Sequence, residues 1–201
     1  PKDPIQRDML ELFFAEALVT YHEAYSWEIN RRERIEAKGA VDLSLSPEQN
    51  LQNIADAMKG ADIFVGVSSK GLVTKEMVKS MAKNPIIFAM ANPDPEIMPE
   101  EVGRSARIIA TGRSDYSNQI NNVLCFPGLF RGVLDCRARE INDQMLFAAA
   151  NAIAQMVTEE ELSEDYIIPG VLNKKVPERV ATYVKEAAIQ TGVARPEQRF
   201  F

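Results

Sequence analysis

Histidine is nearly missing from this chain: His22 is the only one in 201 residues. Without a second, a histidine metal cluster is excluded, and His22 reads as a surface or capping residue. Cysteine is almost as scarce. Two residues, Cys125 and Cys136, are too few for a disulfide framework, and both lie in or beside an apolar segment. They read as small, buried, reduced thiols rather than as a redox pair. No apolar run approaches the ~20 residues a membrane span needs, and nothing has the shape of a secretory leader. A cytoplasmic, non-membrane protein is the expectation. Basic charge in excess is also lacking. The net charge is −6, and the cluster Arg31, Arg32, Arg34 is balanced by Glu28, Glu33 and Glu36. That argues against a nucleic-acid surface.

What remains is an ordinary globular profile, 46% hydrophobic and 26% charged. The length suits one good core, or one core with an appendage. The first residue is Pro1 rather than Met, so a trimmed chain or a piece of a longer one is expected. Residues 4–38 hold Ile5, Met9, Leu12, Phe13, Leu18, Tyr21 and Tyr25 at roughly helical spacing, ended by Gly39.

From Leu45 the pattern changes. In "SPEQNLQNIADAMKG" Ser46 is placed to cap a helix, Pro47 to occupy its first position and Gly60 to stop it. The apolar runs "ADIFVGVSS", "PIIFAMANPDP" and "ARIIATGRSD" alternate with the helical strings "TKEMVKSMAKN", capped by Thr74, and "MPEEVGRS". This β-α-β-α-β order, with continuous apolar strands, predicts a parallel sheet buried on both faces. Further helices are predicted near residues 121–136, 143–158 and 176–191.

Ligands bind beyond the carboxyl ends of such strands. Here the three ends run Gly66-Val67-Ser68-Ser69-Lys70, then Asn92-Pro93-Asp94-Pro95, then Thr111-Gly112-Arg113-Ser114-Asp115. Asn121 and Asn122 precede "VLCFPGLFRGVL" and sit where a helix is expected to begin. Backbone N–H groups point outward there and suit an anion such as a carboxylate. The plainer alternative is that Asn121 merely caps the helix. Pro127 and Gly128 predict a kink or a delayed start.

The strings "ADIFVGVSSKGLVTKEMVKSMAKNPIIFAMANPDPEIMPEE" and "ARIIATGRSDYSNQINNVLCFPGLFRGVLDCRA" resemble the malic enzymes in their compact bacterial and archaeal form, closely from Gly60 to Val157. The resemblance implies a partial Rossmann-like, doubly wound α/β sheet with added N- and C-terminal helices. Residues 1–45 would be a helical segment, 46–140 the second half of the NAD(P)-binding domain, and 141–201 a closing helical segment. It implies oxidative decarboxylation of L-malate to pyruvate and CO2, with NAD or NADP taking the hydride and Mg2+ or Mn2+ assisting. Asn92 matches a position near the nicotinamide ribose, and Gly66, Val67 and Ser68 match the segment running past the cofactor. Asn122 matches a residue that hydrogen-bonds the malate carboxylate, with Asn121 as its neighbour. A homo-oligomer is implied as well. Arg113 and Asp115 belong to the family string without an assigned role, beyond pairing to brace their loop.

The departures bear on mechanism. No G-x-G-x-x-G precedes Gly60. Nothing in Pro1 to Leu45 matches the family's acid tyrosine, base lysine or metal-binding carboxylates. The expectation is that catalytic residues and metal ligands lie outside this chain, in a missing N-terminal domain. Two alternatives stand beside it: a non-catalytic cofactor-binding or oligomerisation fragment, and a dinucleotide-fold dehydrogenase for another acid.

Overall fold

The computed structural model describes residues 47–195. The helical expectation for residues 4–38, His22 and the Ser46 cap lie outside the described residues. The chain divides into two compact units, which place residues 47–120 in one and 121–195 in the other.

The first unit begins with α1 (Pro47–Met58), which buries Ile54 and Met58, one turn apart on one face. Gly60 ends it with φ +74°, a conformation that glycine adopts without penalty. Three strands follow, β1 (Ile63–Gly66), β2 (Ile86–Ala89) and β3 (Ile108–Thr111). They form one sheet in the order β1-β2-β3, all parallel, with Gly66 opposite Ala89 and Ala89 opposite Thr111. Between β1 and β2 lies α2 (Lys75–Ser80), capped by the Thr74 hydroxyl, which accepts from the Met77 N–H at 3.3 Å. Between β2 and β3 lies α3 (Pro99–Val102), followed by a 3-10 turn at Gly103–Ser105. Ile87 and Ala89 share one face of β2 and pack into a core with Ile54, Met58, Val78, Met81, Ile97 and Val102.

Burial on both faces holds for β2, where Ile87, Phe88 and Ala89 are all buried. β1 departs from it: Ile63, Phe64 and Val65 are only half-buried. Among the described residues β1 pairs on one side only, which makes it an edge.

The second unit is helical. It holds α4 (Phe126–Cys136), α5 (Asp143–Ala154) and α6 (Lys175–Gln190). α5 stops four residues short of the predicted end. Thr158 there starts a separate turn, its hydroxyl accepting from the Glu161 N–H at 3.4 Å while Glu161 Oε2 accepts from the Thr158 N–H at 3.1 Å. Asn142 caps α5 through the Met145 N–H and donates to the Thr191 hydroxyl beyond α6 at 2.9 Å. α4 lies tightly against α6. A Cβ on Gly132 would come within 2.6 Å of the Ala181 carbonyl and 2.9 Å of Val184 Cβ. One on Gly128 would meet the Pro177 carbonyl and Val180 Cβ, each at 2.6 Å. No helix among the described residues is long and apolar enough to cross a membrane.

Gly132→Ala forces these two helices apart and is expected to destabilise by roughly 1–3 kcal/mol. Gly170→Ala, where nothing lies within 4 Å, is expected to stay within about 0.5 kcal/mol. Urea unfolding of both variants checks the contrast.

Candidate functional site at the carboxyl edge of the sheet

Parallel pairing brings the three strand ends to one edge. The register runs one residue further, since the Met90 N–H donates to the Gly66 carbonyl at 2.9 Å. The loops after β1 and β2 are then joined along their main chains. The Gly71 N–H donates to Pro95 O at 3.2 Å and the Val73 N–H to Glu96 O at 3.0 Å.

Beneath both loops sits Glu96, whose side chain is fully buried. Its Oε1 accepts from the Ser68 N–H at 2.7 Å and the Ser68 hydroxyl at 2.9 Å. Its Oε2 accepts from the Ala91 N–H at 3.1 Å. Three donors satisfy a buried carboxylate that would otherwise be costly to desolvate. Glu96 also accounts for Gly66, because a Cβ there would lie 2.5 Å from Glu96 Cδ. The glycine therefore has an internal reason as well as the cofactor role expected for it.

An ionic chain runs across the outer side of the same edge. Asp94 pairs with Lys70 at 2.7 Å and with Arg113 at 3.0 Å. Arg113 in turn holds Asp115 through two bonds, at 2.7 Å and 2.9 Å. The expected brace between Arg113 and Asp115 is present, and it extends to the β2 loop. Tyr116 lies under the Arg113 guanidinium, 5.7 Å from ring centre to Cζ, and its hydroxyl donates to Glu100. The Lys70 hydrogen bond, followed by the Lys70 charge and Arg113, holds the Asp94 carboxyl below its ordinary value of 3.8. The Tyr116 hydroxyl lowers Glu100, and Glu100 raises Tyr116 in return. Lys70, Glu100 and Asp115 are exposed and Asp94, Arg113 and Tyr116 half-buried, so the chain orients loops more than it adds stability.

Gly66, Val67, Ser68 and Asn92 are thus brought together on adjacent strand ends. Val67 and Asn92 are both exposed, Val67 at 45%. Asn118, third of the clustered amides, turns inward instead. It is buried, has φ +55°, and donates to the Ile109 carbonyl at 3.1 Å.

Asn121 and Asn122 belong to the helical unit. The Asn121 carboxamide accepts from the Val123 N–H at 3.0 Å and closes a 3-10 turn at Asn122–Leu124, so Asn121 is a cap. The α-helix starts only at Phe126, with Pro127 in its first turn. The delayed start is observed, and the pair heads a short turn rather than the helix itself. Asn122 is exposed at the first position of that turn.

Cys125 and Cys136 are free and buried, and burial pushes the Cys125 thiol up to about 11. No group of three or more His, Cys, Asp or Glu that could hold a metal occurs among the described residues. Sequence reading passed over Glu96 and the Lys70–Asp94–Arg113 linkage. Glu96 lay inside the recognised string "ANPDPE", but no local pattern signals a partner 28 residues away.

Two outcomes are expected. A carboxyl held low in the folded state favours folding where it is ionised, and that contribution is lost as pH falls through its lowered value. Protection factors for the amides of Asp94 and residues 112–116 should therefore stay flat from about pH 8 to 5 and decline below 3.8, the ordinary value for Asp94. Cys125, a thiol rather than a thiolate at neutral pH, should resist iodoacetamide until the protein unfolds. Mass spectrometry of the alkylated chain reads this.

Known proteins share this fold. Residues 27–189 match the family model described as malic enzyme, NAD binding domain. The chain is 60% identical over 152 residues to an NAD-dependent malic enzyme of Geobacillus stearothermophilus, covering 76% of this chain and 32% of that protein. An NADP-dependent malic enzyme of Rhizobium meliloti is 48% identical over 164 residues, covering 74% of this chain and 22% of the relative. Among solved structures, a malic enzyme from Pyrococcus horikoshii matches with TM-score 0.68 and 49% identity, over 72% of this chain and 34% of that one. The chain thus spans about a third or less of the length of these relatives. A parallel sheet with polar strand ends, a family match over most of the sequence and this degree of identity agree: the chain belongs to the malic enzymes, as part of their NAD-binding domain.

Proposed function

We propose that this chain supplies the cofactor- and substrate-positioning part of an NAD(P)-dependent malic enzyme that oxidatively decarboxylates L-malate to pyruvate and CO2. The observation that carries the reading is the joined pair of loops, with Val67 and Asn92 exposed, at the carboxyl edge of a parallel sheet. The nicotinamide, when bound, accepts the hydride from the malate hydroxyl-bearing carbon. In this proposal Asn92 hydrogen-bonds the nicotinamide ribose, while Gly66, Val67 and Ser68 line the path of the dinucleotide. Asn122 binds a malate carboxylate, and Asn121 sets the turn that presents it.

Amides orient ligands but do no acid–base work near neutral pH. Loss of CO2 leaves an enolate whose charge needs an electrophile, and protons must move on and off the substrate. The described residues offer no metal-binding group and no buried lysine or tyrosine at this edge, so those steps are assigned to other parts of the full polypeptide. Relatives using NAD and NADP both match, so the proposal covers either cofactor. A homo-oligomer, from family resemblance, and a cytoplasmic location, from the sequence reading, belong to the same proposal.

The test is malate-dependent NAD(P)H formation by the full-length polypeptide with Mn2+ present. Absence of turnover with either cofactor would defeat the reading. Asn92→Ala should lower kcat/KM by roughly 5- to 150-fold, the loss of one ligand hydrogen bond. Asn122→Ala should act mainly on the KM for malate. Residues 47–195 alone should give no turnover.

A further inference from the structure

We infer that Glu96 is a positioning residue for the dinucleotide, acting through the two loops it ties together; the inference rests on the cofactor reading above. The loop after β1 carries Gly66, Val67 and Ser68, and the loop after β2 carries Asn92. Their main chains bond to each other where they leave the sheet, Met90 to Gly66, and again further along, at Gly71 and Val73. Directly beside Val67 and Asn92, at Ser68 and Ala91, the Glu96 carboxylate joins the two loops, with the Lys70–Asp94 ion pair a second side-chain link further out.

The division of its two oxygens is the argument. Oε1 takes both donors of Ser68, directly after Val67. Oε2 takes the Ala91 N–H, directly before Asn92. The separation of the two carboxylate oxygens therefore sets the spacing between the two ligand-facing residues. Gly66 permits this by lacking the Cβ that would strike Glu96.

Only a group with acceptors on both prongs can serve. Glutamine is nearly the same size but presents an NH2 on one prong, which must face either the Ser68 or the Ala91 N–H. One loop is then released. Aspartate keeps both acceptors but is one methylene too short to reach both loops together. Alanine would add a cavity and confuse packing with positioning.

The experiment uses the full-length polypeptide. NADH and NADPH are titrated by fluorescence into the unmodified protein, Glu96→Gln and Glu96→Asp, well below each variant's Tm. Steady-state KM values for dinucleotide and malate, and hydrogen exchange at Ser68 and Ala91, are measured on the same samples. Glu96→Gln should weaken dinucleotide binding about ten-fold, a loss comparable to one charge-assisted hydrogen bond. The KM for malate should change about two-fold or less, and the amide on the released side should exchange faster. Glu96→Asp is the second variant should the glutamine protein fail to fold, and it should weaken binding in the same direction. A folded variant of either kind that binds dinucleotide as tightly as the unmodified protein overturns the inference alone. An unmodified protein that binds neither dinucleotide overturns the cofactor reading, and this inference with it.

Discussion

Three strands of four residues each, paired in parallel register, fix where everything else in the first unit can go. Parallel pairing sends every strand end to the same edge. The loops that follow must then satisfy their own backbone groups in a crowded space. They do so partly by bonding to each other, as Gly71 does to Pro95 and Val73 to Glu96. The remaining donors, at Ser68 and Ala91, are collected by the Glu96 carboxylate. Without parallel register the two loops would leave from opposite edges, and no side chain could span them.

Outside that buried link lies a solvent-facing one. Lys70, Asp94, Arg113 and Asp115 alternate in sign and connect all three strand ends. Its exposure limits its energetic weight, but alternation leaves no like charge next to another. The buried carboxylate and the exposed chain act at different depths of the same edge. The inner one sets spacing, and the outer one restrains the loop tips.

The helical unit is governed by a different constraint, the close approach of backbones. Gly128 and Gly132 sit one turn apart on α4, and each faces a valine and a carbonyl of α6. Helices this close bury Val176, Val180 and Val184 completely. Asn142, bonded both to its own helix and to Thr191, ties the start of α5 to the end of α6. At the entry to this unit Asn121 caps a short turn whose first residue, Asn122, is exposed.

Much of the local structure was legible in the amino-acid sequence. Thr74 as a cap, Gly60 as a stop, the three apolar runs as parallel strands and the delayed helix after Pro127 all depend on neighbours a few residues apart. The strings around "ANPDPE" and "GRSDYSNQINN" sufficed to point to the family. The half-exposure of β1 was not legible, because its apolar run has the same make-up as that of the buried β2. Nor was the work of Glu96, the linkage of Asp94 to Lys70 and Arg113, or the inward turn of Asn118. These contacts join residues distant in sequence, and no spacing rule encodes them. Sequence determined which elements form and what family they belong to, since caps, periodicity and turn chemistry are local. Tertiary structure alone decided which polar groups stay exposed and which hold the loops, since that choice depends on what the fold places opposite each one.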